Sequence, residues 1–174
     1  DLPPQSSVDL PVTEAAIYFG ELSSDHVFVK TRTEEFDYPE GNGNVQTVFE
    51  GEGGVTLSNA VRRAVFAWQF RDLNILISSS LTDESRILFV RNIQSRVHKL
   101  APFLTLDKDP YLVIVDGKMY WIQDAYATTN RYPYSTPSAD GYNYIRNSVK
   151  AVVDAYDGST TLYVVDEDEP ITRS

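Results

Sequence analysis

Two of the three Asp-Gly pairs, those at 116–117 and 157–158, constrain the fold more than any other feature of the sequence. Asp-Gly between two strand-like runs is a strong signal for a two-residue hairpin turn of type I′, in which both central residues have positive φ. Runs rich in β-branched and aromatic residues flank each pair, at 111–115, 118–126, 144–156 and 159–165. The C-terminal half is therefore predicted to fold as antiparallel hairpins.

The middle of the chain has a helical period instead. Apolar residues recur there at intervals of three and four, which is typical of an amphipathic helix. We predict two helices, over about 57–71 and 83–100, the second capped by Thr82 and ended by Ala101-Pro102. The apolar stripes expected to face the core are Leu57, Val61, Ala64, Val65 and Trp68 in the first helix, and Phe89, Val90, Ile93, Val97 and Leu100 in the second.

Strands followed by helices and then by hairpins, without strand–helix alternation, favour an α+β fold. We expect a mostly antiparallel sheet, built from hairpins, packed against a layer of the two helices. For 174 residues one domain is expected, over 14–166. Residues 1–13, which contain three prolines, are predicted to form an extended arm, and residues 167–174 an acidic tail. Because the chain starts without Met, we expect it to be a fragment of a larger protein.

Composition disfavours several classes of function. The chain has 15 basic and 25 acidic residues, a net charge of −10, which opposes binding to nucleic acid. It has no Cys, and its two His, His26 and His98, are far apart in sequence, so we expect no metal site and no cofactor. Acidic runs could attract calcium, but none has EF-hand spacing, and solvated carboxylates are the simpler interpretation.

The predicted helical segment is locally basic. Residues 58–100 carry seven basic and three acidic side chains, a surplus of +4, so the remainder of the chain carries −14. Such a layer could contact an acidic partner or lipid head groups; the simpler interpretation is that these are solvated helix faces. Arg86 is the one basic residue of this segment that does not fit a solvated helix face. It falls on the apolar stripe of the second predicted helix, so it should either snorkel to solvent or form a structural buried ion pair with a carboxylate.

Segment 126–144 has the most distinctive local composition, with tyrosines among Asn, Arg and Pro. Tyrosine combines a flat ring with a hydroxyl, which suits protein interfaces and stacking on sugars. An alternative, which we prefer, is that these rings only attach a long loop to the sheet. The candidate ligand- or partner-binding residues are Tyr126, Tyr132, Tyr134, Tyr142, Arg131 and Asn143.

Ten segments of the chain resemble, in order, a family of large uncharacterised bacterial multi-pass membrane proteins of unknown function. The segments are EFDYP (35–39), DLNIL (72–76), SRIL (85–88), RNI (91–93), APFL (101–104), DPY (109–111), YWI (120–122), RYPYS (131–135), YIRNSVK (144–150) and VDAYDG (153–158). In that family, predicted transmembrane helices precede a long region expected outside the cytoplasm. The resemblance implies that this chain is an excised extracytoplasmic domain of a protein of the cell membrane, and it supplies no catalytic residue.

Two hypotheses of function follow. The first is a non-catalytic binding or assembly domain. It would contact the remaining soluble and membrane-embedded parts of its parent protein, an envelope protein or a polysaccharide, through the tyrosine-containing segment 126–144 or the basic helices. The alternative is a carboxylate-dependent enzyme acting on cell-envelope polymers such as polysaccharide, with carboxylates such as Asp124 or Asp154. Two carboxylates facing each other across a cleft lined by Tyr132 or Tyr134 would favour the enzyme.

Overall fold

The computed structural model describes residues 12–33, 35–40, 43–166, 168 and 170–171. Residues 1–11 of the predicted arm and most of the predicted acidic tail lie outside this range. The elements of the described residues are β1 (Val27–Val29), β2 (Glu35–Glu40), β3 (Gly43–Thr47), β4 (Val55–Thr56), α1 (Ala60–Phe70), α2 (Asn74–Ile77), β5 (Arg86–Leu88), α3 (Ile93–Leu100), β6 (Thr105–Leu106), β7 (Tyr111–Val115), β8 (Lys118–Thr129), β9 (Tyr144–Asp154) and β10 (Thr160–Val164). All paired strands in these sheets are antiparallel, which confirms the α+β class.

The described chain divides into two compact units, each with its own sheet. The first unit covers residues 24–90, and the second covers residues 12–23 together with 91–171. Helices α1 and α2 belong to the first unit, and α3 belongs to the second. One domain over 14–166 therefore stays a prediction. No helix in the described part of the chain is long and apolar enough to cross a bilayer.

In the first unit, β5 lies between β1 and β4, and β2 pairs with β3 in a separate hairpin. The core beside the three-stranded sheet contains the buried residues Leu57, Ala67, Ile75, Leu81 and Ile87, with the partly buried rings of Phe28, Phe66, Phe70 and Phe89 packed against them. The rings of Phe66 and Phe89 lie 5.6 Å apart, and His26 stacks on Phe70 at 4.2 Å. Aromatic side chains therefore attach α1 to its sheet.

The predicted core-facing stripe of α1 is wrong. Val61, Val65 and Trp68 are exposed by 73%, 56% and 83%, and Ala64 is exposed as well. Leu57 is buried as predicted, but it precedes the helix. The physical reason is that α1 is apolar on two sides, and the side with the larger aromatic area, which carries Phe66 and Phe70, is the one that packs into the core.

The second predicted helix is wrong over its first half. Residues 86–88 form β5, and α3 begins only at Ile93. Ile87 and Leu88 are consecutive and fully buried, so both faces of this strand are covered. A short apolar run of this kind fits a buried strand as well as a helix. Here the two flanking strands supply the backbone hydrogen bonds that make the extended form stable.

Arg86 therefore lies on a strand rather than on a helix. Its Nε donates to the carbonyl oxygen of Gly53 at 2.7 Å, and its Nη2 donates to the carbonyl oxygens of Gly54, at 3.2 Å, and Glu52. The side chain is half-buried. Among the described residues, its hydrogen-bond partners are thus backbone carbonyls of the loop before β4, which is neither of the two expected outcomes, a snorkelling side chain or an ion pair with a carboxylate.

The second unit contains a five-stranded sheet in the order β10-β9-β8-β6, with β7 pairing the first part of β8. Asp116 and Gly117 have φ of 51° and 80°, which confirms the type I′ hairpin. The turn after β9 is longer than predicted. The carboxylate of Asp154 accepts the amide N–H groups of Tyr156 and Asp157, at 2.8 and 3.1 Å, so the turn starts three residues before Asp157-Gly158.

Helix α3 packs on the sheet of the second unit. Ile93 and Val97 are fully buried as predicted, whereas Leu100, at the end of the helix, is 57% exposed. Ala101 and Leu104 follow the helix and pack with Ala125 and Val149 of the sheet. The predicted stripe is thus confirmed for the two residues in the first two turns of α3 and wrong for the last.

Residues 12–23 reach the same sheet from the N-terminal side. The ring of Phe19 is buried beneath Gly158, where a Cβ atom would lie 2.5 Å from the ring, and the guanidinium of Arg96 lies over it at 4.6 Å. Gly20 forms a parallel bridge with Asn92, and its N–H donates to the carbonyl oxygen of Arg91 at 3.1 Å. The chain therefore leaves the second unit and returns to it at neighbouring points.

Candidate functional site

The side chain of Asn143 makes three of the hydrogen bonds within the Tyr-rich loop, residues 130–143 between β8 and β9. The Oδ1 atom of Asn143 accepts the N–H of Tyr132 at 3.0 Å. Its Nδ2 donates to the carbonyl oxygens of Tyr132 and Ser135, at 2.8 and 3.2 Å. The Asn143 N–H donates to the carbonyl oxygen of Thr129 at 2.9 Å, where β8 ends. One amide thus closes the loop at its base and fixes its path.

Two tyrosines of this loop differ in their surroundings. The ring of Tyr132 stacks on that of Tyr144 at 4.9 Å with an interplanar angle of 15°, and Tyr132 is still half exposed. Tyr134 is fully exposed and has a φ of 59°. A non-glycine residue in the left-handed region carries a backbone cost and persists only where its surroundings enforce it. Here the Asn143 hydrogen bonds on both sides of Tyr134 enforce it.

The other two candidates in the loop have weaker attachments. The hydroxyl of Tyr142 donates to Oδ2 of Asp140 at 3.2 Å. Partial desolvation, and then the Asp140 charge, raise the pKa of Tyr142. Arg131 is exposed, and its backbone N–H donates to Oγ1 of Thr129 at 3.2 Å. Both residues belong to the same loop as Tyr134.

Tyr126 has different partners from the rest of the candidates. It lies on β8, and its hydroxyl donates to Oδ2 of Asp107 at 2.7 Å. This hydrogen bond lowers the pKa of Asp107 and raises the pKa of Tyr126. Asp107 also borders an open groove of about 580 Å³, lined by Gln94, Ser95, His98, Pro102, Leu104, Thr105, Leu106, Asp107 and Lys108. The structure thus assembles five of the six candidates in the loop and ties Tyr126 to this groove.

The carboxylates named for the enzyme hypothesis have structural partners. Asp124 forms an ion pair with Lys150, the residue opposite it on β9, and this carboxylate raises the pKa of Lys150. Asp154 holds the turn after β9. Because Asp154 lies opposite Tyr120, the two acids are four residues apart along the paired strands, about 13 Å. Paired glycosidase carboxylates are about 5 to 9.5 Å apart. Among the described residues, no three His, Asp or Glu side chains are grouped so that they could hold a metal ion.

Sequence reasoning missed two features, one in each unit. Asp107 was not named as the partner of Tyr126, because 19 residues separate them and only the pairing of β6 with β8 brings them together. The exposed apolar side of α1 was also missed. The signal that could have found it is the presence of Phe66 and Phe70 on the other side of the same helix.

Comparison with known proteins places this chain among large bacterial proteins. A family model described as "Uncharacterised protein family (UPF0182)" matches residues 1–174. A "UPF0182 protein" of Sulfurovum sp. (strain NBC37-1) is 51% identical over all of this chain and 20% of its own length. Relatives from Trichlorobacter lovleyi and Pelotomaculum thermopropionicum are 53% and 49% identical, over 99% and 98% of this chain and 20% and 19% of their own lengths. The chain thus spans about a fifth of these curated relatives. No solved structure matches it.

Proposed function

We propose, from the premise that the chain belongs to the uncharacterised protein family UPF0182, that it is a non-catalytic extracytoplasmic binding or assembly domain of a larger integral membrane protein. Its partners are the remaining soluble and membrane-embedded parts of that protein, and an envelope protein or polysaccharide beyond it. The parent protein lies in the cell membrane. The short share of each relative that the chain covers supports a role as one part of a larger molecule.

The observation that carries this proposal is the loop closed by Asn143. Its three side-chain hydrogen bonds fix the backbone around Tyr134, whose ring is fully exposed. A loop that is already ordered loses little conformational entropy when it binds. Tyrosine is also among the residues that contribute most to binding at interfaces. The loop therefore supplies a preorganised aromatic contact.

The test uses the full-length parent protein as bait in a pull-down from membrane extract, with a parent lacking this domain as the control for background. Replacing Tyr134 by Ala should strongly reduce partner capture, because the exposed ring is the main contact. Asn143→Ala should reduce capture as well, because it loosens the loop while keeping the ring. Tyr163→Ala removes another half-exposed tyrosine, on β10, and should leave capture unchanged.

Measuring the stability of the variants distinguishes a loop that binds a partner from a loop that only packs on the sheet. Tyr134→Ala should change the free energy of unfolding by less than about 0.5 kcal/mol, as is usual for exposed positions. Unfolding of the Tyr132→Ala, Tyr134→Ala double variant, or unchanged capture by Tyr134→Ala, would contradict the proposal and would mean that the loop only packs.

A single introduced cysteine can test on which side of the membrane this domain lies. The chain has no Cys, so Ser138→Cys places one new thiol in the exposed loop. In intact cells that express the full-length parent, a membrane-impermeant maleimide should label this variant more than the unsubstituted parent. Labelling that appears only after the cells are permeabilised would place the domain in the cytoplasm.

A further inference from the structure

We propose that the helical segment 60–77 of the first unit docks on an anionic lipid surface. The segment comprises α1, α2 and the three residues between them, and we call its exposed apolar side chains, together with Arg62 and Arg71, the α1–α2 surface. This inference adds a second contact to the proposed function. It depends only on the chemistry of this segment and not on the Tyr-rich loop.

The first observation is the amount of apolar side chain that this segment exposes. Val61, Val65 and Trp68 follow each other at intervals of four and three, so they lie on one face of α1. Exposed patches of large apolar residues on soluble domains mark interaction sites. The exposed apolar residues of the segment are Val61, Val65, Trp68, Leu73, Leu76 and Ile77, and all but Val65 and Leu76 are more than 70% exposed.

The second observation is the charge around these side chains. Arg62 and Arg71 are exposed at the two ends of α1. The guanidinium of Arg62 donates to the carbonyl and hydroxyl oxygens of Thr56, and the side chain is still exposed. Arg63 is half-buried, and its guanidinium donates to the carbonyl oxygens of Leu57 and Thr82. The acidic residue of the segment, Asp72, caps the N–H of Asn74 at 2.9 Å. The segment thus carries a local positive charge on a chain whose net charge is −10.

These two observations together favour a bilayer surface as the occupant. Interfacial helices combine a Trp- and Leu-rich apolar face with Arg or Lys at its border, and they bind anionic lipid through both. Trp also prefers the head-group region of a bilayer. A second copy of this chain would instead bring two positively charged surfaces together across a two-fold axis, which is unfavourable.

The experiment measures binding of the 174-residue chain to vesicles by co-sedimentation. Vesicles of phosphatidylcholine with about one-third phosphatidylglycerol are compared with vesicles of phosphatidylcholine alone. We expect clear binding to the anionic vesicles and much weaker binding to the neutral ones. Arg62→Gln and Arg71→Gln should each weaken binding to the anionic vesicles about fivefold, because each basic residue near such a surface contributes about 1 kcal/mol.

The apolar contribution is tested separately. Trp68→Ala should weaken binding to anionic vesicles about tenfold or more, because a large side chain no longer leaves water. In the Trp121→Phe variant, Trp68 is the remaining tryptophan, and its emission should shift to shorter wavelength when vesicles are added. The matched control is Phe103→Ala, which removes a 75% exposed ring from the second unit and should leave binding unchanged.

Several results would overturn the proposal. Equal binding to neutral and anionic vesicles, or absence of binding to both, would exclude an anionic lipid surface. A concentration-dependent dimer that Trp68→Ala abolishes would assign the α1–α2 surface to a second copy. If Trp68→Ala lowers the melting temperature, Val61→Ser, which changes the same face of α1, serves as the test variant in its place. Tyr134→Ala should bind vesicles like the unsubstituted chain. A failure of the lipid-docking proposal can therefore be distinguished from a failure of the proposed binding role of the Tyr-rich loop.

Discussion

Helices α1 and α3 begin in the same way and face the core in different ways. Each has an Asn cap, Asn59 and Asn92, whose side chain accepts the N–H three residues later, at 2.8 and 2.9 Å. Yet α1 exposes the apolar stripe expected to be buried, whereas α3 buries Ile93 and Val97 as expected. The difference teaches that a helical period identifies a helix, while the buried side is fixed only when one side is polar.

The sequences of the two helices explain this. Helix α1 reads AVRRAVFAWQF and has large apolar residues on more than one side, so two orientations satisfy the same period. Helix α3 reads IQSRVHKL, and Gln94, Ser95, Arg96 and His98 occupy the rest of its circumference. The exposed side of α3 is thus polar and borders the groove, whereas the exposed side of α1 is apolar.

The largest expected effect is a loss of stability at a buried residue of α3, compared with an exposed residue of α1. Ile93→Ala should lower the free energy of unfolding by about 2 to 5 kcal/mol, because it leaves a cavity in a fully buried site. Val65→Ala, the matched change on the exposed side of α1, should alter it by less than about 0.5 kcal/mol. Urea denaturation of both variants measures the difference, and similar losses in the two would mean that Val65 is buried.

A smaller loss in the free energy of unfolding is expected when the N-cap of α1 or of α3 is removed. Asn59→Ala should cost about 1 kcal/mol, because the N–H of Arg62 loses its acceptor. Asn92→Ala should cost more, since the Nδ2 of Asn92 also donates to the carbonyl oxygen of Glu21. Asn92→Asp keeps the cap and removes that donor, so it should fall between Asn92→Ala and the unsubstituted chain. Equal losses in Asn59→Ala and Asn92→Ala in thermal denaturation would show that the Glu21 contact contributes nothing.

The smallest effect lies on the polar side of α3, where Asp107 borders the groove. Tyr126→Phe removes the hydrogen bond that lowers the pKa of Asp107, so this pKa should rise toward its ordinary value. Titration of the carboxyl carbon by NMR measures it.

The sign of the pH dependence follows from the two shifts. The contribution of Asp107 is present above its ordinary pKa and is lost as the pH falls through the lowered pKa of the folded chain. On the alkaline side, the raised pKa of Tyr126 means that its contribution is complete below its ordinary pKa and is lost as the pH rises through the folded value. Tyr126→Phe should remove the alkaline dependence and weaken the acid one, because the backbone N–H of Asp109 still lowers the pKa of Asp107. An unchanged pKa of Asp107 in this variant would contradict the assignment.

Local chemistry explains which features the sequence could predict. The Asp116-Gly117 turn was predictable because Asp-Gly directly between two adjacent strands favours a type I′ turn. The same pair at 157–158 was predicted less well, since Asp154 accepts two backbone N–H groups and starts a longer turn there. The strand at 86–88 was not, since its hydrogen bonds go to β1 and β4, elements distant in sequence. In the candidate site, Asn143 was named from composition. Its three bonds across the loop depend on a backbone path that no local rule specifies.

The bridge between Gly20 and Asn92 has a consequence for how the chain is organised. Residues 24–90 enter and leave the second unit at adjacent points, which is the geometry of an insertion into a host fold. Replacing the insert by a short linker would leave every strand pairing of the five-stranded sheet in place. The Tyr-rich loop therefore rests on the strand pairs of the second unit, whereas the α1–α2 surface belongs to residues of the first.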